Sequence, residues 1–193
     1  MGRRIIFILL CFSLTLSGEE ISSPAGKGSS TPYLISAANR VYMTWLEEVV
    51  DGHALKLAIY DGKSWSKPST IISSDKLFVN WADFPSLVVL KNGILAAQWL
   101  QKRGEGKYAY DVMISSSSDN GKTWIPPTRP YKDQTKGEHG FVSLIPNSEG
   151  FEAIWLDSRK FDPKNDHSMK NEMQLMSASN SNGNFQTETV LDP

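Results

Sequence analysis

The chain is poor in cysteine, in histidine, in clustered charge and in long apolar runs, and each shortage excludes something. Among 193 residues there is one cysteine, Cys11, and it sits inside an N-terminal apolar run. If that run is removed as a leader, no disulfide, thiol nucleophile or zinc–thiolate site can be built. The three histidines, His53, His139 and His167, are scattered without ligand spacing, so neither a metal nor another cofactor is expected. Lys and Arg number 20 against 21 Asp and Glu, for a net charge of -1, and no basic run or stripe occurs. That balance argues against a nucleic acid or an anionic membrane surface as partner. Helical periodicity of useful length is absent as well.

The apolar run has a simple reading. "MGRRIIFILLCFSLTLSGEE" places Arg3 and Arg4 before apolar residues from Ile5 to Leu16, followed by Ser17 and Gly18. This is the pattern of a secretory leader, too short to span a bilayer comfortably. Residues 1–18 are therefore expected to be cleaved, leaving a secreted or periplasmic chain with no membrane attachment. A buried N-terminal strand or helix is the alternative. Residues 19–31, "EEISSPAGKGSST", read as a flexible lead-in.

What the sequence does have is repetition. "PYLISAANRVYMTW" (32–45), "PSLVVLKNGILAAQW" (85–99) and "VSLIPNSEGFEAIW" (142–155) each carry an early Leu, a turn around an Asn and a closing Trp. Each predicts a hairpin whose strands are apolar on both faces and so buried between neighbours. A second hairpin follows each one, around Gly62, Gly121 and Gly183, which recur roughly every sixty residues. Four-stranded antiparallel units repeated along a chain are blades of a β-propeller. A β-sandwich, the alternative all-β fold, gives no reason for a fixed period. Three blades are expected, over roughly 32–72, 84–128 and 141–191. Propellers close with about four to eight blades, so three make an incomplete ring. Its two open edges would invite association with further strands.

The sharpest local signal is "SSSSDNGKTW", residues 115–124. Asp119 is placed to accept turn amide hydrogens and Ser117 to bond locally. Gly121 can take positive φ, and Trp124 can pack across the hairpin, with Thr123 restarting the strand. Those are structural tasks. Ser117-x-Asp119-x-Gly121-x-Thr123-Trp124 resembles the Asp-box, or BNR repeat, of sialidase-like propellers. "NWADFPSL", "YAYD", "EHGFVSL" and "WLDSR" are similar to segments of bacterial secreted exo-α-sialidase-like proteins. The resemblance implies a sialidase-like propeller over residues 32–193 and a carbohydrate or glycoconjugate as partner. It also implies that ligands bind at the face opposite the Asp-box turns.

That opposite face receives the loops after the second strands and the connections between blades. They carry Asn80, Trp81, Asp83, Glu138, His139, Asp157 and Arg159. Asp83, Glu138 and Asp157 are the candidate catalytic carboxylates, since glycoside hydrolysis uses paired carboxyl groups. Asn80, Trp81, His139 and Arg159 are the candidate substrate-binding residues, with Trp81 as a stacking platform. The plainer possibility is that Asp157-Ser158-Arg159 caps a turn and that Glu138 and His139 bond loop backbone. Sialidases hold the substrate carboxylate with three arginines, the first in an Arg-Ile-Pro motif. This chain lacks that motif, and only Arg103 and Arg159 fall on the expected face. Sialic-acid cleavage by this chain alone is therefore not expected. The competing expectations are a glycan-processing enzyme, a non-catalytic glycan- or protein-binding propeller, and an assembly factor.

Overall fold

The computed structural model describes residues 18, 20–104, 106, 108–161 and 173–192. All of the expected leader except Gly18 lies outside them, Arg3, Arg4 and Cys11 included, and so does His167. Among the described residues the regular structure is entirely antiparallel strand, arranged in three sheets.

The first sheet runs β1 (Ser29–Ala37), β2 (Arg40–Val49), β3 (Gly52–Tyr60) and β4 (Ser69–Ser74), in that spatial order. Its first turn is tight. Ala38 and Asn39 have φ of 49° and 59°, the successive left-handed pair that suits the twist of a two-residue hairpin. The second sheet contains β5 (Ser86–Val89), β6 (Leu95–Lys102) and β7 (Tyr110–Ser117). In place of a fourth strand there is a single bridge, Ile114 to Thr128. The reason is compositional: Pro126, Pro127 and Pro130 flank Thr128 and have no N–H for a ladder. The third sheet contains β8 (His139–Pro146), β9 (Gly150–Asp157) and β10 (Gln174–Ser181). The short strands β11 (Asn184–Phe185) and β12 (Thr189–Val190) both pair with β10. Only the first blade thus has four regular strands; the second falls short of that number and the third splits its outer strand.

The inner strands stand side by side, with β5 against both β1 and β8. The core lies between successive sheets, and β6 shows why its strands are apolar throughout. Leu95, Ala97 and Trp99 join Leu46, Leu55 and Leu57 of the first sheet. Ala96 and Leu100, on the other face of the same strand, join Phe151, Ala153 and Trp155 of the third. The period-two alternation therefore sends side chains into two cores. Trp45, Trp99 and Trp155, at corresponding places on β2, β6 and β9, are each at most 1% exposed.

The turn after β7 shows how its residues hold one another. Asp119 Oδ1 accepts the N–H groups of Lys122 (3.0 Å) and Thr123 (2.9 Å), and Oδ2 accepts the Thr123 hydroxyl (2.7 Å). Ser117 Oγ donates to Asp119 Oδ1 (2.8 Å) and accepts from Gly121 N (2.9 Å). Those bonds hold the Asp119 carboxyl well below the ordinary range, the Thr123 hydroxyl first among them. Gly121 has φ of 77°, and a β-carbon there would collide with Leu57 of the first sheet. The turn is therefore seated against the preceding blade. Asp61 performs a shorter version in the first sheet, accepting from Lys63 N and Ser64 N at 2.9 Å each.

Candidate functional site

β6 and β7 pair from Leu95 with Ser117 at one end to Lys102 with Tyr110 at the other. The Asp119 turn follows Ser117, so Tyr110 begins its strand at the opposite end of the sheet. His139, which starts β8, pairs with Asp157, which ends β9, and Tyr110 bridges to Glu138. Asp83 is tied to the same end through Phe141. Topology thus gathers Asp83, Tyr110, Glu138, His139 and Asp157 at one end of two neighbouring sheets, in two groups with different chemistry.

The first group is centred on Asp83 and Glu138. Asn80 Oδ1 accepts the N–H groups of Ala82 (2.8 Å) and Asp83 (2.6 Å), and its Nδ2 donates to Asp83 Oδ2 (2.7 Å). Asp83 Oδ1 accepts the Phe141 N–H at 2.7 Å. Phe141 has φ of 52° at an irregularity in the β8–β9 register, an uncommon conformation for a bulky residue. Gly140 beside it leaves space that is used at once. A β-carbon at Gly140 would stand 2.7 Å from Asp83 Oδ1 and 3.4 Å from Tyr110 Oη. The Tyr110 hydroxyl in turn donates to Glu138 Oε1 at 2.6 Å. Tyr110 thus holds Glu138 on one side while Gly140 separates its ring from Asp83. Its ring stacks on Phe78 at 4.1 Å, and burial first, then the bond to Glu138, pushes its pKa far above that of a free phenol. It stays protonated and acts as a fixed donor. The Glu138 backbone is clamped as well, because its N–H donates to Ser158 Oγ (2.6 Å) and its carbonyl accepts from Ser158 N (2.9 Å). Trp81 is 88% exposed, and Phe84 and Phe141 are about half exposed, so aromatic surface flanks this group.

The second group is closed. Asp157, fully buried, accepts from Trp155 Nε1 (2.9 Å), from the Arg159 N–H (2.9 Å) and from the guanidinium through Nε (2.9 Å) and Nη2 (2.6 Å). Burial pushes the Asp157 carboxyl up, but the Arg159 and Trp155 bonds outweigh it and the net shift is downward. Arg159 also meets Glu188 in a second forked pair, at 3.0 and 2.9 Å. His139 is wholly buried and stacked on Tyr131 at 4.6 Å. Its Nδ1 lies 3.2 Å from the carbonyls of both Tyr110 and Gly137, which only a protonated nitrogen can satisfy. Its Nε2, with no hydrogen-bond partner among the described residues, faces Asp133 at 3.5 Å and Asp157 at 3.7 Å. Asp111 completes the layer, accepting from the Tyr131 hydroxyl (3.1 Å) with Arg103 at 3.5 Å and Arg129 at 3.7 Å. Among the described residues no group of three or more His, Cys, Asp or Glu is arranged to hold a metal ion.

Of the residues singled out from sequence, Asn80, Asp83 and Glu138 fall in the first group and His139, Asp157 and Arg159 in the second, with Trp81 exposed beside the first. Tyr110, Tyr131, Asp111, Asp133 and Glu188 were not singled out. Tyr110 and Asp111 had a signal, since they open the third strand of a blade at its loop end. Glu188 had none, lying 29 residues from Arg159 in the connection just before β12.

A cavity of about 290 Å³ opens beside Glu138, walled by Tyr108, Phe161 and Met173, with Thr135, Lys136 and Ser158 among its polar lining. Another, of about 280 Å³, lies between Thr128–Lys132 and Gly183–Glu188.

No protein-family model and no curated protein matches the chain in sequence. Solved structures do match its fold. An endo-1,4-β-xylanase from Bacteroides thetaiotaomicron superposes with a TM-score of 0.53 at 16% identity, over 89% of this chain and 61% of that one. A xylan β-1,4-xylosidase from Bacillus halodurans gives 0.51 at 15% identity, over 86% and 30%. A Hadza microbial sialidase gives 0.51 at 13%, over 84% and 37%. The chain thus spans between 30% and 61% of the length of these three. At such identities the likeness concerns the backbone alone, and the sialidase is one of several glycoside hydrolases that share it. The chain has the all-β, bladed architecture of glycoside-hydrolase β-propellers, with part of a propeller's blades present.

Proposed function

We propose that the chain is part of an exported β-propeller protein that binds, and in its full context hydrolyses, glycans at the loop face carrying Asp83 and Glu138. One observation carries this reading: two carboxyl groups from different blades are held at one end of the sheets beside exposed aromatic surface, Glu138 Oε1 by the Tyr110 hydroxyl at 2.6 Å and Asp83 Oδ1 by the Phe141 N–H at 2.7 Å. A pair of positioned carboxyl groups is what glycoside hydrolysis uses, and exposed indole and phenyl rings suit the apolar faces of sugars. In this reading Glu138 and Asp83 touch substrate, and Trp81 supplies a platform. Asp157, Arg159 and His139 hold the loops in place from below. The resemblance to glycoside hydrolases in fold adds support without naming a substrate.

A non-catalytic glycan-binding propeller is the second reading. It is favoured by the bonds that already occupy Asp83, one oxygen taken by Phe141 N and the other by Asn80 Nδ2. Oligosaccharide binding followed calorimetrically, together with release of reducing sugar, separates the two. The proposal expects Asp83→Asn and Glu138→Gln to lose turnover and to keep at least part of the binding. Wild-type binding and turnover in both variants would refute the assignment.

A further inference from the structure

We propose that the cavity between the outer parts of the second and third blades is a binding site for a small carboxylic acid carried on a ring. The site is separate from the loop-face group and does not depend on the glycan reading. One side of it is Thr128–Lys132, in the segment that takes the place of a fourth strand in the second sheet. The other is Gly183–Glu188, which contains β11 and runs on to β12. Three charged side chains line it, and their bonds sort them. Glu188 is already matched by Arg159 in a forked pair. Arg129 commits only Nη1, to the Asp133 carbonyl at 3.1 Å, with Asp111 Oδ2 at 3.7 Å. Its Nε and Nη2 have no partner among the described residues, although the side chain is only 24% exposed. Lys132, exposed, has no partner among them either.

The Nε–Nη2 edge of a guanidinium is a fork that takes a carboxylate through two parallel bonds. Net charge does not favour an anion here, since Asp111 and Asp133 stand behind Arg129. Open donors do, because in a largely buried guanidinium they are costly until something meets them. The walls decide what carries the carboxylate. Pro130 and Tyr131 on one side and Phe185 on the other are apolar, and the Arg129 guanidinium lies 5.7 Å from the centre of the Tyr131 ring. The volume of about 280 Å³ is near the small end of ligand sites, which suits a single ring with its carboxylate.

The test is calorimetry on the full chain with benzoate and glucuronate, and with benzamide and glucose as their uncharged counterparts. At least one acid should bind about tenfold more tightly than its counterpart, and salt should weaken it. In an NMR titration with that acid the backbone amide signals of Arg129, Lys132 and Phe185 should move. Thr187→Glu, at an exposed lining position where folding is little affected, should weaken the acid about tenfold and leave the counterpart unchanged. Arg129→Lys keeps the charge and removes the fork, and should weaken the acid several-fold. Acids bound no better than their counterparts would overturn the proposal. So would wild-type affinity for the acid in both variants, or signals that move at Asp83 and Glu138 instead. The loop-face reading is decided separately, by oligosaccharide binding.

Discussion

Gly140 offers a direct test of whether the loop-face group is assembled as described. A β-carbon at this position would lie 2.7 Å from Asp83 Oδ1 and 3.2 Å from Tyr110 Cε2. Asp83 cannot easily give way, because Asn80 Nδ2 and Phe141 N each hold one of its oxygens at 2.7 Å. Tyr110 cannot either, being stacked on Phe78 and bonded to Glu138. Gly140→Ala must therefore strain the packing, at about 1–3 kcal/mol, or break the bond from Phe141 N, at about 1–3 kcal/mol. Half-exposed Phe141 can recover part of the second loss from water. A net destabilisation of about 2–3 kcal/mol follows, a fall in Tm of roughly 5–10 °C for a domain of this size. Denaturant titration should show a lower midpoint at unchanged slope. The decisive arm is the cycle with Asp83→Ala, which removes the oxygen that the new methyl would strike. The two changes together should cost at least about 1 kcal/mol less than their sum. A Gly140→Ala protein that melts like wild type, or single effects that add within about 0.5 kcal/mol, would refute this account.

Three further outcomes are expected. Asp119 and Asp157 both have depressed carboxyl pKa values, so their stabilisation is complete above the ordinary carboxylate value of about 3.9 and is lost as pH falls through the folded values. Asp119→Ala should therefore lower Tm at pH 7 and flatten its decline between about pH 4 and pH 2, leaving ligand affinity unchanged; a parallel acid limb would contradict the assignment. Asp157→Asn leaves Arg159 and Glu188 around a broken buried pair and should cost about 3 kcal/mol in denaturant unfolding, while a change below about 0.5 kcal/mol would count against the structural role given to Asp157. Intact-mass measurement on exported protein should show a chain beginning near Glu19 or Glu20, and a soluble product retaining Met1 would dispose of the leader.

Much of the fold was legible because it is repeated. The closing Trp of each inner hairpin and the glycine of each outer turn recur at intervals of roughly 55–60 residues, and such a period is not expected of one irregular sheet. The departures were also written in the sequence, but in residues that remove structure. Pro126 and Pro127 reduce the outer strand of the second blade to a bridge at Thr128. For the candidate residues, what the sequence reached was a shared face. Strand order decides which loops share an end, so Asp83, Glu138 and Asp157 could be put together before any coordinates. What strand order does not contain is the pairing within that face. Arg159 meets Glu188 across 29 residues, and Asp83 meets Phe141 N across 58. Such contacts depend on how far each loop reaches, which no spacing rule supplies.

Pairing, in turn, sorts the acidic residues by what they are still able to do. A carboxylate that already accepts four hydrogen bonds, as Asp157 does, can be removed from its partners only by unfolding the loop around them. It has no lone pair directed at a ligand and no reason to change protonation in a reaction. Glu138 differs on both counts. Its backbone is fixed through Ser158 and one of its oxygens through Tyr110, so its orientation is set by neighbours, while Oε2 has no donor among the described residues. Preorganisation with an acceptor oxygen left free is what binding and general acid–base chemistry both need. Asp83 stands between these cases, with each oxygen holding one donor and room for another on each. By that measure Glu138 is the residue most prepared to meet a ligand, Asp83 can join it, and Asp157 cannot.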